Sequence, residues 1–148
     1  MGSVSHEERV SRALLSRLSE PADRRVSRLL ATMPATELVS LVRAGSDRVA
    51  NVERYAARLA TADPEADLAR AAEVGGRLVV PGDLEWPSQL DDLGEAAPWA
   101  LWVRGTTDLR MSALRSVAVV GSRAATRYGA DAASTLASDL AARGWTVV

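Results

Sequence analysis

The sequence predicts an α/β protein, with a helical amino-terminal part followed by the opening unit of a doubly wound parallel sheet. Three observations predict it. Apolar residues recur at helical spacing from Val10 to Leu59. After Gly76 that spacing gives way to short β-type runs broken by Pro81-Gly82 and Arg104-Gly105. Finally "SVAVV" (Ser116 to Val120), an alanine-rich stretch and "WTVV" follow in the order strand, helix, strand.

The helical part reads as a series of short helices. Ser5 to Glu8 has the S-x-x-E form of a capping box, ahead of Val10, Ala13, Leu14 and Leu18. A second apolar set, Val26, Leu29, Leu30 and Met33, stops at Pro34, and a third, Leu38, Val39, Leu41 and Val42, stops at Gly45. Ser46 is placed to cap a fourth helix carrying Val49, Val52, Ala56 and Leu59. Asp63-Pro64 caps and begins a fifth, which ends at Gly75-Gly76. Eleven arginines balance eleven acids through Val74, as expected of a compact bundle with a solvated, mixed surface. The domains are therefore set at 1–74 and 75–148.

Beyond Gly76, "RLVV" (Arg77 to Val80) and "ALWV" (Ala100 to Val103) read as strands. They flank a proline-punctuated loop with one helical turn near Gln89 to Leu93. The uninterrupted run at Ser116–Val120 suits a strand covered on both faces. Ala133, Leu136, Ala137 and Leu140 stripe the following helix, and Gly144 ends it. A sheet of this kind needs more strands, so the reading is of a truncated domain, the amino-terminal fragment of a longer protein.

Composition narrows the chemistry. The 148 residues are 47% hydrophobic and 25% charged, with a net charge of −1, so no global field draws the chain to nucleic acid or membrane. Cysteine is absent and His6, near a terminus read as frayed, is the one histidine. Disulfides and thiolate sites are thereby excluded, a lone terminal histidine argues against a Ser-His pair, and no metal, cofactor or catalytic residue is expected. No apolar run has the length of a membrane span, which reads as a soluble, cytoplasmic protein. All eighteen basic residues are arginine, whose planar fork matches phosphate.

The stretch that carries chemistry is "VVGSRAATRYG". A strand running into a helix through a Gly-Ser-Arg bend offers unpaired N–H groups and the positive end of the helix dipole to an anion. Gly121 permits a tight turn and close approach, Ser122 adds a hydroxyl, and Arg123 can hold two phosphate oxygens. Thr126 is the expected N-cap, with Arg127, Tyr128 and Gly129 in the first turn. Between Asp108 and Asp131 there is no acid, while Arg110, Arg115, Arg123 and Arg127 are present. The missing G-x-G-x-x-G and G-x-x-x-x-G-K-[ST] patterns argue against a dinucleotide and a Walker ATPase. A bend of this kind also serves in many α/β domains merely to reverse the chain. Of the aromatics, Trp86, Trp99, Trp102 and Trp145 read as packing residues, and Tyr128 as the one beside a ligand. Arg24–Arg28 and Asp91-Asp92 read as solvated.

"VAVVGSRAATRYG", followed by a helix and "GWTVV", resembles the DprA/Smf family of DNA-processing proteins. Upstream, "RLVVPGDLEWPSQLDDLGEAAPWALWVRG" is similar to that family's ordered Pro-Gly, aromatic-Pro and strand-Arg-Gly elements, and "RALLSRLSEPADRRVSRLLA" to the helical region of actinobacterial members. The resemblance implies a SAM-like helical domain before a Rossmann-like domain. It also implies a protein that binds and protects single-stranded DNA and helps load the RecA recombinase in natural transformation, without catalysis. The resemblance then implies that the DNA backbone lies on Arg123, with Gly121 and Ser122 as loop donors and lesser roles for Thr126, Tyr128 and Gly129; Arg127 joins this phosphate-binding set from the local clustering of arginines. A homodimer is implied, through a surface expected beyond Val148. Two alternatives stay open. One is a Rossmann-like phosphoribohydrolase of the lysine decarboxylase-like group, which would continue into P-G-G-x-G-T where DprA/Smf proteins continue into S-G-G-A-x-G-I-D. The other is an inactive fragment.

Overall fold

The computed structural model describes residues 4–20 and 23–148. Met1–Ser3 and Pro21-Ala22, the latter within the stretch that resembles the family's helical region, lie outside the described residues. The chain divides into two compact units, Met1–Thr106 and Thr107–Val148. The sequence-based boundary at Val74/Gly75 falls inside the first of them.

In the first unit, α1 (His6–Leu18) is the central helix. Ser5 caps it by accepting from the Glu8 amide, and His6 is held in the first turn, its Nε2 3.0 Å from Glu65 Oε1, rather than frayed. α2 (Arg24–Leu30) starts at Asp23, and α3 (Ala35–Arg43) ends before Gly45, whose φ of +64° is the left-handed stop expected there. The single helix expected after Ser46 does not form. Ser46 Oγ accepts from Arg48 N in a local turn, and Asn51 takes φ +57°, so only a 3₁₀ turn (Val52–Tyr55) and α4 (Ala56–Leu59) follow. α5 (Pro64–Glu73) begins as read, with proline in its first turn and Asp63 accepting from Ala66 N.

Two cores meet on α1. Leu14, Leu15 and Leu18 pack with Val26, Leu38, Val39, Val42, Val49, Tyr55 and Trp99, while Ala13 packs with Leu78 and Val80. Each leucine so buried contributes about 1.5–3 kcal/mol. The second cluster explains why the boundary lies later than Gly75. β1 (Gly76–Val79) pairs antiparallel with β2 (Leu101–Arg104), Leu78 opposite Trp102, and this hairpin-like pair packs on α1 and α5. Between the strands, Asp83 accepts the Val80 amide and two hydrogen bonds from Arg9, whose Nη1 also donates to the Leu78 carbonyl. Ser88–Ala96 forms 3₁₀ turns broken at Gly94 (φ +54°), a longer segment than the one turn expected.

In the second unit, α6 (Leu109–Leu114) precedes β3 (Ser116–Val117). α7 (Arg127–Ala142) then crosses to β4 (Thr146–Val147), which is parallel to β3. The expected strand to Val120 is shorter as a ladder, although Val119 N still donates to Val148 O at 2.8 Å. This strand–helix–strand unit makes the chain α/β, as its sequence predicts. The apolar strand is not covered here: none of the described residues 107–148 is buried, and Val120 is 90% exposed.

Candidate functional site

The bend after β3 is built from few interactions. Ser122 Oγ accepts from Ala124 N at 3.2 Å, holding the loop. Thr126 has extended backbone (φ −69°, ψ 160°) and its Oγ1 accepts from Gly129 N at 3.1 Å, the N-cap expected of it. The amides of Arg127 and Tyr128 open the helix with no partner among the described residues. At this end of a sixteen-residue helix the peptide dipoles sum to roughly half a positive charge.

All of Gly121, Ser122, Arg123, Thr126, Arg127 and Tyr128 are exposed, and Gly129 is half-buried. Arg123 and Arg127 make no ion pair or hydrogen bond through their guanidinium groups among the described residues. That contrasts with the first unit, where Arg9, Arg12, Arg17, Arg28 and Arg77 each meet a carboxylate. The two elbow cations thus stand beside a positive helix end, with no acid between residues 109 and 130 to neutralise them.

Two sequence-based assignments, those of Gly121 and Arg115, change in detail. Gly121 has no positive φ and a Cβ there would meet nothing within 4 Å, so the turn does not require glycine conformationally. What it offers is bare, accessible backbone. The Gly129 amide is taken by Thr126 and the Ala124 amide by Ser122, so neither is open to a ligand. Arg115 leaves the basic cluster altogether. Its Nη2 donates to the Arg143 carbonyl at 2.9 Å and its guanidinium lies 5.7 Å from the Trp145 ring. That places it at the carboxyl end of α7, about 24 Å along the helix from Thr126, where a cation suits the negative helix end.

Elsewhere, Trp86 and Trp99 are buried packing residues, as read, their Nε1 groups donating to Asp91 Oδ1 and Ser27 Oγ, each at 3.0 Å. Asp91 is therefore engaged rather than merely solvated. Trp102 differs: 45% of its surface is open, a feature the strand-like run "ALWV" conceals because alternation alone does not say which face is covered. Among the described residues no three His, Cys, Asp or Glu side chains gather as a metal site would need, and no helix is long and apolar enough to cross a membrane.

The fold and this bend define an α/β protein whose parallel strand–helix unit presents a basic, acid-free helix start. The profile of the family described as DNA recombination-mediator protein A matches residues 77–148, which contain that unit. Proteins from two strains of Mycobacterium tuberculosis, both bearing the DNA-processing-protein DprA name, are each 35% identical over 146 residues, covering 92% of this chain and 38% of theirs. Over most of its length the chain is thus similar to the DprA/Smf family of DNA-processing proteins. It spans about two fifths of the length of the curated relatives it matches.

Proposed function

We propose that this protein binds single-stranded DNA by its sugar–phosphate chain at the β3–α7 bend. On this reading it works in recombination, in the cytoplasm, by protecting incoming DNA and helping to load the RecA recombinase in natural transformation. The observation that carries the proposal is the pair of unpaired guanidinium groups, Arg123 and Arg127, beside the open amides of a helix start.

Each residue has a physical part. Arg123 grips two oxygens of one phosphate and Arg127 meets the next. The Arg127 and Tyr128 amides add donors along the dipole. Gly121 and Ser122 let the strand of DNA lie close to the backbone, and Thr126 fixes the direction of α7 by capping it. Tyr128, 84% exposed, supplies a ring on which a base can stack. Gly129 leaves that first turn uncluttered. None of these groups needs to transfer a proton or form a bond, so the protein acts as a binder and not an enzyme. Pairing of two such proteins would double the length of strand held.

The test is Arg123→Ala in the full-length protein, read by fluorescence anisotropy with a labelled oligo(dT). Affinity is expected to fall several-fold, whereas Arg28→Ala, which removes an arginine already paired with Glu95, leaves it unchanged. Equal affinities for both variants would remove the elbow from the proposal.

A further inference from the structure

Trp102 sits on β2 opposite Leu78 and beside a cleft of about 300 Å³ that it lines with Ser16, Arg17 and Asp67. Its Nε1 makes a long, 3.5 Å hydrogen bond to Ser16 Oγ, which tethers one edge of the indole. Nearly half of the side chain remains open to solvent. The indole so placed presents an accessible aromatic surface beside the cleft.

The charge around the ring is unbalanced. Arg17 and Arg70 both bind the single carboxylate of Asp67, so two guanidinium groups share one negative charge. Arg17 is 49% and Arg70 68% exposed, while Asp67 is only 11% exposed, so the cations and not the acid face solvent. Two residues along the strand, and so on the same face as Trp102, Arg104 is exposed with no ion pair among the described residues. An open indole among cations that outnumber their acid matches the chemistry of single-stranded nucleic acid. Bases stack on the ring, and the phosphates on either side meet guanidinium groups. A protein segment rich in acids would satisfy the charge but leaves the ring unexplained.

We propose that Trp102, with Arg17, Arg70 and Arg104, forms a second single-strand contact on the first compact unit, stacking one base and holding its flanking phosphates. This rests on the reading of the protein as a single-strand DNA binder, and adds a site to it.

The experiment measures oligo(dT) affinity and tryptophan fluorescence quenching for the full-length protein and for Trp102→Leu, Trp102→Phe and Arg123→Ala. Trp102→Leu is expected to bind about tenfold more weakly, with an unchanged salt dependence because no phosphate contact is lost. Trp102→Phe is expected to keep most of the affinity and lose most of the quenching. Native affinity in a folded Trp102→Leu protein, or undiminished quenching in Trp102→Phe, overturns the proposal. Should Trp102→Leu fail to fold, the quenching in Trp102→Phe decides alone. Loss of binding in Arg123→Ala with none in Trp102→Leu leaves the elbow standing and removes this site, and the opposite pattern does the reverse. A parent protein that binds no oligo(dT) removes both.

Discussion

Glu8 accepts the amide hydrogen of Ala35, Oε1 to N at 3.2 Å, so a residue of the first helix caps the third. Its other oxygen takes the Thr36 amide at 3.3 Å, and Arg12 binds Oε1 at 2.8 Å. Pro34 stands at the N-cap of α3 and has no side chain that could do this. Arg12 in turn donates to the Trp99 carbonyl at 2.9 Å, so one carboxylate fastens α1, α3 and the loop before β2.

Glu8→Ala is therefore expected to destabilise the chain by about 2 kcal/mol, since two helix-start amides and a half-buried arginine lose a charged partner. Glu8→Gln, which keeps one acceptor, is expected to lose about half as much. Urea unfolding at neutral pH checks this, and a loss within experimental error for Glu8→Ala would exclude the capping role.

Asp83 sets an acid limb to stability. Burial pushes its carboxyl up, but hydrogen bonds from Arg9 and from the Val80 amide, with the charges of Arg9 and Arg12, outweigh this and hold it below its ordinary 3.8. A depressed carboxyl contributes stability that is present above its unfolded value and is lost as pH falls through the folded one. Between pH 5 and pH 2 the parent is expected to lose stability in part through this group. Asp83→Asn should be less stable at pH 6 and show a shallower decline with acid, as measured by urea midpoints across that range.

Gly76 joins α5 to β1 where the backbones nearly touch. A Cβ there would stand 2.9 Å from the Ala71 carbonyl oxygen, which belongs to the helix and cannot swing away. Gly76→Ala is expected to cost about 1–3 kcal/mol and lower the thermal midpoint. Gly121→Ala, where a Cβ meets open space, is expected to leave it unchanged.

Much of this was legible from residue patterns, and the failures have physical causes. Caps at Ser5, Asp63 and Thr126 follow from side-chain chemistry acting over three residues, so local reading finds them. The helix expected from Ser46 failed because Asn51 adopts the left-handed region, which asparagine permits without demanding. The membership of β1 and β2 in the first unit was hidden because it depends on Leu78 and Val80 meeting Ala13, some 65 positions earlier in the chain. At the candidate site the residues Gly121 to Gly129 are contiguous, and their grouping needed no tertiary knowledge. The place of Arg115 is not legible because charge spacing does not say that its guanidinium turns to the Arg143 carbonyl, past the far end of α7. The exposure of Trp102 escapes sequence patterns for the same kind of reason: strand alternation names two faces and leaves open which is covered.

The central claim is that phosphates are neutralised by the guanidinium groups at the β3–α7 bend, and the salt dependence of oligo(dT) binding tests it most directly. Each single-strand phosphate contact contributes about 0.7 to the slope of log affinity against log salt. The full-length Arg123→Ala/Arg127→Ala protein is predicted to bind more weakly and with a slope shallower by about 1.4 than its parent. Parallel lines of equal height for the two proteins would contradict the account.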